Sequence, residues 1–170
     1  KANAYGHGAV EVYNTLKNFA SIDGFGVASI EEALSLRKKT RCFKMPIIVF
    51  SDLFIKDNGY AKDYAQNKII PVLSDFTSLE FFLNSNECKG IPLYLKFNTG
   101  MNRLGFCERD IVKIKLLLKS FNRGQVDHLM SHLSDTSSEN NVSSKTQKQL
   151  EQFQKIKEAF SKIGEKIEIK

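Results

Sequence analysis

Gly24-Phe25-Gly26-Val27-Ala28-Ser29-Ile30-Glu31-Glu32-Ala33-Leu34 contains a strand, a stop and a helix start in direct succession. Gly24 to Ser29 is short, apolar and bounded by glycine, which reads as a strand. Ser29 has an oxygen suited to a helix N-cap, and Glu32, three residues on, completes a capping-box pair. Ala33, Leu34, Leu36 and Arg37 carry the helix forward. The same arrangement recurs. Pro46 to Phe50 is a second apolar run, closed by Ser51-Asp52. Ile69 to Leu73 is a third, closed by Ser74-Asp75, and Pro92 to Phe97 is a fourth. The starts at 24, 46, 69 and 92 lie 22, 23 and 23 residues apart, which is the length of one βα unit. None of these runs alternates polar with apolar residues. Strands of that kind are buried on both faces, as in a parallel sheet covered by helices.

The intervening segments carry helical stripes. The first is Ala9, Val12, Tyr13, Leu16, Phe19 and Ala20. A glycine-interrupted piece ends near Asn67, and Phe76, Leu79, Phe82 and Leu83 form the next stripe. Ile111, Ile114, Leu118 and Phe121 follow. A fifth strand is expected from Val126 to Leu133, and the polar segment Ser134 to Ser144 reads as a loop. Leu150, Phe153, Ile156, Phe160 and Ile163 then make a long amphipathic helix, which Gly164 stops as a C′ residue. Ile167 to Lys170 reads as the start of another strand. The class is α/β, and the pattern fits either part of a (β/α)8 barrel or an open doubly wound sheet.

The 170 residues suffice for one ordinary core, and 42% hydrophobic with 26% charged residues are globular values. No apolar run approaches the roughly 20 residues of a membrane span, so no membrane partner is expected. The opening is polar and unlike a signal peptide, and with no initiator Met the chain is expected to be a segment of something longer. The net charge of +6 comes from lysines interleaved with acids, as in Lys145 to Glu158, so solvated helix faces explain it better than a nucleic-acid surface. Cys42, Cys88 and Cys107 are far apart, which fits a reducing cytoplasm and argues against a zinc site. No metal is expected.

Chemistry concentrates in three stretches. Lys1-Ala2-Asn3-Ala4-Tyr5-Gly6-His7-Gly8 puts an amine and a phenol before a glycine turn and a helix start. An amine can form a Schiff base with an aldehyde, and a helix start favours a phosphate. Leu95-Lys96-Phe97-Asn98-Thr99-Gly100-Met101-Asn102-Arg103-Leu104-Gly105-Phe106 places a lysine inside an apolar strand, where it is costly to bury unless paired or neutral. The turn at Thr99-Gly100 could bring Arg103 back toward it. Met130-Ser131-His132-Leu133 ends the fifth strand on an imidazole, at the strand end where barrel sites gather.

These three stretches, in this order, resemble the alanine racemase family over essentially the whole chain. The resemblance implies a partial (β/α)8 TIM barrel with Lys1 just past the first strand. That strand, the last strands and a C-terminal β-domain would lie outside residues 1–170. A segment of this kind has bare edges and is not expected to be a stable monomer. The cofactor implied is pyridoxal 5'-phosphate, joined to Lys1, which also serves as catalytic base. Tyr5 would bind the cofactor phosphate, Arg103 its phenolic oxygen and the substrate carboxylate, and His132 would pack beside its ring. The backbone near Met101 would help hold substrate, and Lys96 would be carbamylated so that it clamps Arg103. Asn102 stands where the family usually has a glycine-like residue, which bears on the geometry of that loop. His7 and His128 receive no role. The implied activity is interconversion of L- and D-alanine for peptidoglycan synthesis by a cytoplasmic homodimer. A partner subunit's tyrosine would be the second base. Alternatives are a broader racemase of serine and other small amino acids, or a non-catalytic barrel that carries pyridoxal phosphate.

Overall fold

A computed structural model describes residues 2–51, 60–135 and 144–161, arranged as two compact units. The first comprises Lys1–Val72 with Asn84–Ile91, and the second Leu73–Leu83 with Pro92–Lys170.

In the first unit, β1 (Phe25–Val27), β2 (Ile47–Val49) and β3 (Ile69–Leu73) are parallel. The register pairs Phe25 with Ile47 and Ile47 with Ile69. Every residue of β3 is buried, as its unbroken apolar run requires. Helix α3 (Ile30–Thr40) starts where the sequence places it. Ser29 Oγ accepts the Glu32 N–H at 3.4 Å, and the Glu32 carboxylate accepts the Ala28 N–H at 2.9 Å. The reciprocal bond therefore reaches one residue further back than a capping box. Helix α4 (Tyr60–Gln66) precedes β3, and a 3-10 turn, η1 (Glu87–Gly90), packs on it.

Helix α2 (Ala9–Leu16) is shorter than the predicted Ala9–Ala20 stripe. Beyond it the chain turns tightly, with Phe19 N–H bonded to Leu16 O and Ile22 N–H to Phe19 O. Apolar spacing persists there without helix, and the Phe19 side chain is 56% exposed. Tyr13, from the same stripe, is fully buried against Phe25 at a 4.5 Å ring separation.

Arg37 lies on the buried face of α3 with only 1% exposure. Its guanidinium donates to the carbonyls of Asn67 (2.7 Å), Lys68 (3.0 Å), Met45 (3.0 Å) and Cys42. One side chain thereby satisfies backbone acceptors in the two segments leading into β2 and β3. Burial lowers its pKa, and the fanned donors of a guanidinium suit it to several acceptors at once.

In the second unit, β4 (Tyr94–Lys96) and β5 (His128–Met130) are parallel, with Tyr94 opposite His128 and Lys96 opposite Met130. Helix α5 (Phe76–Asn84) begins after Asp75, whose carboxylate accepts the Ser78 N–H at 2.9 Å as an N-terminal cap. A 3-10 turn, η2 (Glu108–Asp110), leads into α6 (Ile111–Ser120), which buries Ile111, Ile114 and Leu118 as the spacing predicts, while Phe121, the last residue of the predicted stripe, lies past the helix end and is exposed. Helix α7 (Ser144–Ser161) starts earlier than its apolar stripe. Its buried face runs through Thr146, Gln149, Ile156 and Phe160, while Leu150 is 44% exposed. Two polar residues thus replace the predicted apolar start of that face. The expected stop at Gly164 and the strand from Ile167 fall outside the described residues. Among the described residues, no helix is long and apolar enough to cross a membrane.

Candidate active site

The first turn, α1 (Ala2–Tyr5), is wound left-handed, with Asn3 at φ 54°, Ala4 at φ 56° and Tyr5 at φ 56°. Each such non-glycine residue costs about 1–2 kcal/mol through the Cβ–carbonyl clash. Hydrogen bonds hold the turn closed. Asn3 O accepts the N–H groups of Gly6 (3.2 Å) and Gly8 (3.0 Å), and Asn3 Oδ1 accepts the Ala9 N–H at 2.9 Å. Asn3 therefore fixes the turn and fills one of the donors left open at the start of α2. The Tyr5 side chain projects outward and is 72% exposed, and His7 is exposed. Lys1 lies outside the described residues. Strain concentrated in this way is characteristic of ligand clamps and active sites.

Lys96, Met101, Arg103 and His132 do come together. With Phe97, Asn98 and Leu104 they line one narrow cleft in the second unit. Lys96 is the last residue of β4 and only 5% exposed. Past it the chain makes a closed loop and returns. Phe106 N–H bonds Lys96 O at 2.9 Å, and Asn98 N–H bonds Phe106 O at 2.9 Å, pairing Phe97 with Phe106 in a parallel bridge. Gly105 makes the return possible. Its φ is +132°, and a Cβ there would stand 2.6 Å from Asn98 N and 2.7 Å from Phe97 C. Inside the loop, Asn98 Oδ1 accepts the N–H groups of Gly100 and Asn102, both at 3.0 Å, and Asn98 Nδ2 donates to Asn102 Oδ1 at 3.0 Å. Asn102 sits at φ 59°, in the left-handed region. This accounts for asparagine at a glycine-like position, because asparagine tolerates that conformation better than other side chains. Arg103, the next residue, is exposed at the cleft mouth.

His132 lies two residues beyond β5, exposed, with its side chain at the same cleft. His128 instead stacks on Tyr94 within the β4–β5 pair, with ring centroids 4.2 Å apart, and does not line the cleft. Sequence reasoning missed the layer beneath. Thr99 is buried, its hydroxyl lies 2.7 Å from Ser131 Oγ, and Gln149 reaches both loops from α7. Neither Thr146 nor Gln149 stands out in the sequence, because the apolar stripe of α7 points to Leu150 instead.

Parallel βα units here bring a buried lysine, an arginine and an imidazole together at strand C-terminal ends, the end at which barrel enzymes carry their sites. The sequence matches the family model for the alanine racemase N-terminal domain over residues 1–170. It is 37% identical over 168 residues to the alanine racemase of Thermodesulfovibrio yellowstonii, covering 98% of this chain and 42% of that protein. It is 39% identical over 120 residues to putative alanine racemase 2 of Schizosaccharomyces pombe, covering 71% of this chain and 32% of that one. The alanine racemase structure from Bartonella henselae with covalently bound pyridoxal phosphate is 26% identical, with a TM-score of 0.79 over 99% of this chain and 46% of that chain.

The chain belongs to the alanine racemase family. Its fold class is the partial (β/α)8 barrel that the resemblance implied, not the open doubly wound sheet. It spans less than half the length of the relatives it matches.

Proposed function

We propose that the protein to which these residues belong is a pyridoxal-phosphate-dependent alanine racemase that interconverts L- and D-alanine. In this reading it works as a cytoplasmic homodimer and supplies D-alanine for peptidoglycan. The single observation that carries the proposal is the convergence of Lys96, Met101, Arg103 and His132 on one cleft, in a chain that carries the family's lysine motif at residues 1–8. By residue type, the first unit offers a phenol, helix-start N–H groups for a phosphate and, in Lys1, an amine for an aldehyde, and the second offers a guanidinium for a phenolic oxygen and a carboxylate.

When bound, pyridoxal phosphate would supply an electron sink that acidifies the substrate Cα–H. The protein's residues supply position and protons. Lys1 is the cofactor-anchoring amine and takes or returns a proton at Cα on one face. To act as a base its amine must be neutral, which requires a pKa below the ordinary value near 10.4. A base for the opposite face comes from outside these 170 residues. Tyr5, the exposed last residue of the left-handed turn, binds the phosphate. Arg103, displayed at the cleft mouth, pairs with the substrate carboxylate in a two-pronged contact. His132 flanks the cofactor ring, and the backbone at Met101 borders the substrate.

Lys96 is carbamylated in this proposal. Its neutral amine attacks the carbon of CO₂, one C=O π pair moves to oxygen, and the nitrogen releases a proton to water. The product is an anion, which turns a repulsive lysine–arginine neighbourhood into an attractive one.

In the full-length protein, Lys1→Ala is expected to abolish alanine racemisation and the visible-edge absorbance of the covalently held cofactor. A Lys1→Ala protein that retained both would overturn the role given to Lys1. Failure of the unsubstituted protein to racemise alanine would overturn the function itself.

A further inference from the structure

Gln149 projects from the buried side of α7 with 1% of its surface exposed, and all four hydrogen-bonding positions of its carboxamide are used. Its Oε1 accepts the Ser134 N–H at 3.0 Å and the Ser134 hydroxyl at 2.8 Å. Its Nε2 donates to Thr99 Oγ1 at 3.3 Å and to the His132 carbonyl at 3.2 Å. The partners belong to two loops, one after β4 and one after β5. The same two loops carry Arg103 and His132.

The proton direction through the connected hydroxyls follows from donor counting. Ser131 has one hydroxyl proton, and it goes to Phe97 O at 2.8 Å. The 2.7 Å contact between Thr99 and Ser131 must then be donated by Thr99. Thr99 in turn accepts from Gln149. A single-direction wire runs from the Gln149 amide through two hydroxyls to the carbonyl of Phe97, adjacent to Lys96. Gly100 packs on the same side chain, where an added Cβ would come 3.3 Å from Gln149 Cγ. A carboxamide is the group that meets these demands. Glutamate would turn an acceptor toward the His132 carbonyl, and methionine would leave buried donors and acceptors unmatched.

We propose that Gln149 is a positioning residue that sets the Arg103 loop and the His132 backbone in register with each other, acting through Thr99, Ser131 and Ser134. This rests on the racemase reading above for its kinetic consequence only. It touches neither substrate nor cofactor. Its effect is to hold Arg103 where a carboxylate can be gripped, so its loss acts on substrate binding more than on turnover.

The test uses the full-length holoenzyme with Gln149→Met, Thr99→Val and the double variant, and hydrogen exchange on the cofactor-free protein. Gln149→Met is expected to raise KM for alanine about five- to tenfold with a smaller change in kcat, corresponding to one buried hydrogen-bond set. Amide exchange should accelerate over residues 98–106 and 131–135 while α6 stays protected. The double variant should lose no more than the more severe single one, because both cut the same wire. Fully additive losses, an unchanged KM, or exchange that rises equally across the second unit would each overturn the proposal in favour of plain packing. Should Gln149→Met fail to fold, Thr99→Val alone decides by the same KM and exchange criteria. An unsubstituted protein without racemase activity refutes the earlier functional reading, whereas the exchange result still judges this one.

Discussion

Gly105 and Asn102 are single residues that decide whether Arg103 reaches the cleft. Gly105 combines a positive φ with backbone atoms where a side chain would begin, and those atoms belong to β4's own continuation and cannot rotate away. Gly105→Ala is expected to separate Phe106 from Phe97 and undo the bridge. In full-length protein it should cost more than about 2 kcal/mol by thermal melting, since overpacking and left-handed strain add, and alanine KM should rise with it. A variant within 0.5 kcal/mol of wild type, by order of magnitude, would show that the loop closes another way. Residue types made much of this site legible. Lysine inside an apolar strand is conspicuous because burying it is costly, and it is indeed 5% exposed. Arg103 is exposed, so it was legible through its place after the Thr99-Gly100 turn and through the family resemblance rather than through any cost of burial. Gln149 was not legible, because a glutamine in a helix carries no periodic signal and its partners are 15, 17 and 50 residues away in sequence.

At the scale of elements, α2 shows both the reach and the limit of pattern reading. Its apolar spacing marks Tyr13 as core, yet the same spacing overstates its length, because a tight turn can keep apolar residues in step without helix. Strand ends were overcalled likewise. The predicted Val126–Leu133 is observed as His128–Met130, since parallel pairing covers only the residues that find a partner. Tyr13 also gives α2 a pH dependence. Burial is the main cause that pushes its phenol up to about 12, and the nearby Cys42 adds to it. A folded-state pKa above the unfolded value near 10 means that the folded protein holds its proton more tightly. The associated stability is therefore complete below pH 10 and declines as pH rises from 10 toward 12. A denaturant-unfolding series across that window should show stability falling more steeply in wild type than in Tyr13→Phe. Parallel slopes would mean the phenol is not the group responsible.

For the whole molecule, the βα period of 22 to 23 residues was the most informative signal. It announced parallel strands with intervening helices, and the observed pairing within each unit agrees. Barrel and open sheet share that period, so the distinction had to come from the family motif and then from structural similarity. The 170-residue chain corresponds to 42% of its Thermodesulfovibrio relative. Val112 and Leu116 on α6 are 68% and 62% exposed, and Phe19 near α2 is 56% exposed. Isolated apolar side chains are ordinary on a surface, but residues 112 and 116 are adjacent on one helix face. Expressed by itself, the chain is expected to self-associate and to melt without a sharp cooperative transition. A monomer by sedimentation with a cooperative melt would contradict this.

The left-handed turn at residues 3–5 has a stereochemical corollary. Its dihedral angles are the mirror image of those of an ordinary helix, so the position occupied by L-Ala4 is one that the opposite enantiomer would occupy at rest. In a polypeptide assembled by chemical ligation, D-alanine at position 4 would remove the methyl–carbonyl clash and recover about 1–2 kcal/mol. The backbone that follows Lys1 in sequence is thus built from L-residues in a shape native to their enantiomers.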